Sequence, residues 1–229
     1  MGTLSVVATP IGNLGDITLR ALETLKAADV IACEDTRVTS KLLARYDIRK
    51  PLLVYHARNA RAGGARVLAL LGSGKRVALV TDAGTPGISD PGGELVALAR
   101  QRLGDAVRID AVPGPSALAA ALSIAGLPTS SFVFLGFLPH KKGRQALFKK
   151  IAAEERAVAF YESPHRILKT LDALAAILPP PRRVAVCREL TKIHEEVVGG
   201  TAAEVRARFA ARAGSARGEF VVIVGAQRG

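Results

Sequence analysis

Four short polar clusters hold the side chains of this sequence that could do chemistry. They are "CEDTR" with Glu34, Asp35 and Arg37, "TDAGTP" with Asp82 and Thr85, "YESPHR" with Tyr161, Glu162, Ser163, His165 and Arg166, and "CRELTK" with Arg188, Glu189 and Lys192. Each follows an apolar, strand-like run. Carboxylates beside guanidinium or ammonium groups can accept a proton from a weak nucleophile and steady a developing anion. In open α/β sheets the ligand crevice lies outside the carboxyl ends of the strands, so four such clusters at strand ends point to one site. Helix caps and surface ion pairs would account for many of these residues one at a time.

The glycine-rich stretch "VTDAGTPGISDPGG" invites a nucleotide-phosphate reading, which the spacing rejects. A Walker loop would need glycine where Ala69 stands and a hydroxyl where Arg76 follows Gly74-Lys75. A dinucleotide fingerprint fails too, since Gly84, Gly87 and Gly92 are wrongly spaced, and Pro86 and Pro91 remove backbone donors. In "GPSAL", Leu118 occupies the position where a hydrolase elbow around Ser116 requires glycine. The four histidines lack the i, i+4 spacing of a helical metal pair, and Cys33 and Cys187 form no Cys-x-x-Cys pair. No metal site is expected.

The elements that must position these clusters alternate along the whole chain. "LSVVAT", "DVIAC", "PLLVYH", "RVALVT" and "VRIDAVP" read as strands, separated by helical patterns, with Asp16 as the expected cap of "ITLRALETLKAA". Asp90 is expected to cap a helix with Pro91 at its first position and Glu94 in its first turn. "VPGPSAL" interrupts the pattern, and Ser116 starts a short Ala-rich helix. Strand and helix patterns then resume. In "HRILKTLDALAAIL", Ile167, Leu168, Leu171, Leu174 and Leu178 form one helical stripe. Two α/β domains are expected, residues 1–113 and 114–229, each with a roughly five-stranded mixed sheet and the first rich in parallel pairing.

Thirty-two Lys and Arg against twenty acids leave a net charge of +12 across 229 residues, which favours an anionic partner, nucleic acid ahead of a membrane surface. Aromatics make up 4% and tryptophan is absent, so phosphate contact or shape recognition is expected rather than an extended stacking platform. The stretch "HKKGRQALFKK" offers Lys141, Lys142, Arg144, Lys149 and Lys150 without an acid, and is the RNA-binding candidate beside an ordinary solvated helix face. Arg206 to Arg212 form a weaker one. No twenty-residue apolar run and no cleavable leader are evident, and with two separated cysteines a reducing cytoplasm is expected.

"VATPIGNLGDIT", "EDTRVTSKLL", "DAGTPGISDPG", "VPGPSAL", "GFLP", "YESPHR" and "RELTKIHEE", in this order, closely resemble the rRNA-methylating members of the tetrapyrrole-methylase family, the class III methyltransferases. The resemblance spans residues 4 to about 225. It implies an enzyme that binds S-adenosylmethionine in a cleft between two α/β domains and methylates the ribose 2′-hydroxyl of a cytidine in the decoding region of 16S rRNA. It also implies a homodimer acting on 16S rRNA or the small subunit, with no DNA or membrane partner. By motif matching, Leu14, Ala83, Gly84, Ile88, Ser116, Ala117 and Tyr161 would contact the cofactor. Gly84-Thr85-Pro86 would replace the G-D-P loop of the porphyrin and corrin methylases, with Thr85 in place of the aspartate. Arg188 and the Gly218-Glu219 turn would lie near. The donor carries a sulfonium and no phosphate, which suits a loop of peptide groups and small residues. For transfer, Glu162, Glu189 and Asp35 are candidate acceptors, and Arg37, Arg188 and Lys192 candidate positioning cations. A corrin or porphyrin methylase and a non-catalytic ribosome-assembly factor are the rival readings.

Overall fold

The structure, a computed structural model, describes residues 1–211 and 217–227, so Arg212 lies outside the described residues. The chain forms two compact units, Met1–Ser116 and Ala117–Gly229.

The first unit alternates β1 (Gly2–Val7), α1 (Leu19–Ala27), β2 (Val30–Cys33), α2 (Thr36–Arg45), β3 (Leu52–Val54), α3 (Ala60–Gly72), β4 (Arg76–Leu79), α4 (Gly92–Leu103) and β5 (Val107–Val112). Its sheet runs β3-β2-β4-β1-β5, and every pairing is parallel. Mixed pairing is therefore confined to the second unit. A parallel sheet is buried on both faces, which explains the continuous aliphatic runs in its strands. Ala21 and Leu25 of α1 and Leu43 of α2 pack with Val7 and Ile31 on one face. Val67 and Leu71 of α3 and Leu95 and Ala99 of α4 pack with Leu4 and Leu79 on the other. The order places β1 beside β4, so the loops that follow these two strands emerge as neighbours at the carboxyl edge.

Two caps differ from expectation. Thr18, not Asp16, caps α1 by accepting from the Ala21 N–H at 3.1 Å, while Asp16 closes a short 3-10 turn, Leu14–Asp16. The helix starts at Leu19, and only the residue just before it can reach the free N–H groups. Asp90 does accept from Gly92 N at 2.7 Å, but Pro91 is outside α4, which begins one residue later than expected.

The second unit runs α5 (Ala117–Ile124), β6 (Phe132–Phe137), α6 (Arg144–Ala153), β7 (Ala157–Glu162), α7 (Ile167–Ile177), β8 (Val184–Arg188), β9 (Glu196–Gly200), α8 (Ala202–Ala211) and β10 (Phe220–Val224). Its sheet order is β6-β7-β10-β8-β9, parallel only between β6 and β7. Ile167, Leu171 and Leu174 of the α7 stripe are fully buried against Phe160, Val186 and Phe220, with Leu168 and Leu178 packed at the margin. Each such side chain contributes about 1.5–3 kcal/mol by leaving water. Among the described residues no helix is long and apolar enough to cross a membrane.

Candidate active site

At the carboxyl edge of the first sheet three loops are laced together. Thr9 and Gly84 exchange backbone hydrogen bonds at 2.9 and 3.0 Å, and the Thr9 hydroxyl donates to the Thr81 carbonyl at 3.1 Å. The Thr85 hydroxyl donates to the Pro115 carbonyl at 3.1 Å. The segment after β1, the loop of residues 82–91 and the stretch ending at Ser116 thus form one surface. Leu14, Ala83, Gly84, Thr85, Ile88 and Ser116 all belong to these three segments. Gly84 has φ +85°, and a Cβ there would sit 3.4 Å from Ile11 Cγ2, so glycine lets this backbone turn against its neighbours.

The Asp90 carboxylate accepts from Gly87 N at 2.8 Å and Gly92 N at 2.7 Å. The donors that a phosphate nest would need are already engaged within the loop. With no lysine or arginine in residues 82–93, the loop presents peptide groups and small side chains to a ligand without phosphate.

Beside this surface is a pocket of ≈ 380 Å³, walled by Pro10, Leu14, Val38 and Leu42 and edged by Lys41 and Asp82. Asp82 Oδ1 accepts from the Asp35 N–H at 3.1 Å. Burial pushes the Asp82 carboxyl up from its ordinary value, and the Asp35 charge adds to that against the lowering effect of the hydrogen bond. Burial likewise raises Glu34, helped by Asp82 and Asp90. Asp35 behaves oppositely. Arg37 grips it through both oxygens, at 3.1 and 2.6 Å, and holds its carboxyl at about 2. Arg37 itself is 86% exposed. The sequence reading missed Val38, Lys41 and Leu42. Their signal was the i, i+3, i+4 spacing on α2 directly after "CEDTR", which puts the three on one helix face.

In the second unit, Tyr161 packs edge-on to Phe134 at 5.0 Å and tilted to Phe137 at 5.3 Å. Burial raises its phenol, partly offset by a hydrogen bond with the Leu118 backbone, one residue into the helix that starts at Ala117. These groups make an apolar wall.

Glu162 is not arranged as a proton acceptor for a substrate. Its side chain has no exposed surface; Ser163 N donates to Oε1 at 2.7 Å, and Arg166 Nε, which donates to the Ser163 hydroxyl, lies 2.7 Å from the same oxygen as an ion pair. Arg144 and the Thr170 hydroxyl donate to Oε2 at 3.0 and 2.7 Å. Both oxygens are engaged by neighbours within the unit. Arg144 belongs to the same network. Its guanidinium also donates to the Pro139 carbonyl and Thr170 and covers the Phe148 ring, so it is engaged within the unit. Lys141, Lys142, Lys149 and Lys150 are exposed.

Glu189 and Arg188 gather at the Gly218-Glu219 turn. Glu189 Oε1 accepts from Lys192 Nζ and Glu219 N, both at 2.9 Å, and Lys192 also reaches Glu219. Burial works to raise the Glu189 carboxyl, but these donors outweigh it and hold it below the ordinary range. Arg188 donates to the Arg217 carbonyl at 2.7 Å and pairs with Glu196. Among the described residues no group of three His, Cys, Asp or Glu is placed to hold a metal ion.

The family profile of tetrapyrrole (corrin/porphyrin) methylases matches residues 3–206. The chain is 48% identical over 223 residues to a protein of Mesorhizobium japonicum, covering 97% of this chain and 74% of that one. To a protein of Thermotoga maritima it is 47% identical, covering 91% and 92%. To one of Escherichia coli O157:H7 it is 46% identical, covering 97% and 77%. All three are named ribosomal RNA small subunit methyltransferase I. Among solved structures, uroporphyrin-III-C-methyltransferase of Thermus thermophilus superposes with TM-score 0.69 at 23% identity, covering 98% of this chain and 94% of that one. Another structure of an enzyme of that name and source, complexed with S-adenosyl homocysteine, superposes with TM-score 0.65 at 19% identity, covering 98% and 97%.

Proposed function

Because the chain belongs to the tetrapyrrole (corrin/porphyrin) methylase family, and within it to ribosomal RNA small subunit methyltransferase I, we propose that it transfers a methyl group from S-adenosylmethionine to the ribose 2′-hydroxyl of a cytidine in the decoding region of 16S rRNA. The observation that carries this is the 46–48% identity to relatives named for rRNA methylation, extending over nearly the whole chain. The net charge of +12 supports a polyanionic substrate. The enzyme is taken as a cytoplasmic homodimer, with the small subunit or its 16S rRNA as partner and neither membrane nor DNA.

The loop of residues 82–91 fits the donor, since its internal carboxylate takes the phosphate-type N–H groups and leaves peptide surface beside Gly84. Leu14, Ala83, Gly84, Ile88, Ser116, Ala117 and Tyr161 are the residues proposed to contact it. Thr85 would act from behind, its hydroxyl tying the loop to Pro115. When bound, the donor supplies an electrophilic methyl on a sulfonium. The residues around it contribute by fixing position, because an in-line displacement gains most of its rate from alignment. The exposed Lys141, Lys142 and Lys149 would neutralise RNA phosphates, with Arg144, held by Glu162, beside them in the sequence.

The test offers methyl-labelled S-adenosylmethionine with unmethylated small subunits, free 16S rRNA, or a tetrapyrrole. Label on a cytidine ribose in 16S rRNA, whether free or in the subunit, is expected. Label in the tetrapyrrole alone, or nowhere, would overturn the proposal.

A further inference from the structure

The pocket between the loop after β1 and helix α2 contains, of all the donor-holding residues named above, only Leu14. Neither the peptide surface of residues 83–88 nor Ser116 lines it. It is a second site beside the donor loop, and its chemistry is specific. At ≈ 380 Å³ it stands near the lower end of small-ligand pockets, about 300–1,000 Å³, a size for one nucleoside. Pro10, Leu14, Val38 and Leu42 supply apolar walls for the faces of a flat ring. Two groups of opposite character stand at its edge. Asp82 is pinned through Oδ1 by the Asp35 N–H at 3.1 Å, and its second oxygen has no hydrogen-bond partner among the described residues. Lys41 offers a cation on the α2 side.

We propose that this pocket receives the base of the target nucleotide, Asp82 accepting a hydrogen bond from the 4-amino group of cytosine and Lys41 donating to its O2. The assignment rests on the RNA-methylating function proposed above, and it adds the group that selects the nucleotide. Sequence-specific RNA recognition takes unstacked bases and reads their Watson–Crick edges, and a carboxylate is the natural acceptor for the cytosine amino group. Uracil carries a carbonyl oxygen at that position, which would face the Asp82 carboxylate lone pair to lone pair. Lys41 meets O2, which both pyrimidines share, and so supplies affinity without discrimination. The adenine of the methyl donor also carries an amino group next to a ring acceptor, so the experiment must separate the two bases.

Asp82→Asn makes that separation. The asparagine Oδ1 keeps the Asp35 N–H, while its amide nitrogen replaces the unpaired oxygen, turning an acceptor into a donor in place. Transfer is measured to 16S rRNA carrying either cytidine or uridine at the target position, with S-adenosylmethionine affinity followed by equilibrium titration. The expected result is that the cytidine-to-uridine ratio of kcat/KM falls at least about tenfold in Asp82→Asn, while donor affinity stays within about twofold. Lys41→Met, at an exposed position, should lower transfer to both RNAs alike and leave the ratio unchanged. An unchanged ratio in Asp82→Asn, or equal losses on both RNAs, would overturn the assignment. A tenfold loss of donor affinity with the ratio intact would overturn it in favour of the donor's adenine. If the unsubstituted enzyme labels neither RNA, the RNA-methylating function fails first and this assignment fails with it.

Discussion

Glu162 sits among three hydrogen-bond donors and the paired Arg166 guanidinium, drawn from α6, α7 and its own loop, and these neighbours explain why such a carboxylate can be buried at all. A buried ion is tolerated when every lone pair is met, and removing one partner leaves the others stranded. Glu162→Ala would strand Arg144 and Arg166 together, and a loss of about 3–5 kcal/mol in urea denaturation is expected. Wild-type stability in that variant would show the network to be dispensable. Asp82 presents the contrast, with one oxygen pinned and the other open. Residue type alone does not separate the two. "YESPHR" and "TDAGTP" both advertise a carboxylate after a strand, and only the partners from distant segments distinguish a filled one from an available one. Glu189 and Asp35 fall between, each ionised and each held by a neighbouring cation.

At the level of elements, the glycine loop and the start of α4 act as one piece. Asp90 reaches back to Gly87 N and forward to Gly92 N, so the helix start and the loop conformation stabilise each other. Gly92 is where the chain comes closest to itself. A Cβ there would lie 2.8 Å from Asp90 Oδ1 and 2.9 Å from Gly87 N. Gly92→Ala must push the carboxylate off its donors, and a cost of about 1–3 kcal/mol in thermal or chemical unfolding is expected, with weaker S-adenosylmethionine binding by titration. A variant that melts and binds like the unsubstituted protein would show that the loop does not depend on this close approach. The strands and helices were legible in the sequence because their signals are local, namely apolar runs bounded by Gly, Pro and Asp. The cap of α1 was misplaced for the same reason. Asp16 and Thr18 are both good caps, and the choice depends on where the first helical turn closes.

On the scale of the whole molecule, charge and topology divide the work. The parallel sheet of the first unit presents its β1 and β4 loops side by side, and the mixed sheet of the second unit carries the Tyr161 wall and the exposed lysines after β6. Lys141→Glu with Lys142→Glu should weaken binding to 16S rRNA and flatten its salt dependence, by about one unit of slope for each phosphate that is no longer neutralised. Filter binding across a salt series measures this, and an unaltered slope would place the RNA-binding surface elsewhere.

The alternation of strand and helix indicates two α/β units and the basic excess an anionic partner, while the ordered motifs, through the family they resemble, imply a donor without phosphate and an RNA substrate. Those properties depend on the residue itself or on its near neighbours. Which acids and cations remain available was settled by folding. Arg144 is 18 residues from Glu162, and the Asp35 amide is 47 residues from Asp82, and each pair meets only because α6 and β7 share one hydrophobic core or β2 pairs with β4. A hydrogen bond formed across such a distance uses up a lone pair that local sequence shows as free, so availability is a property of the packed chain.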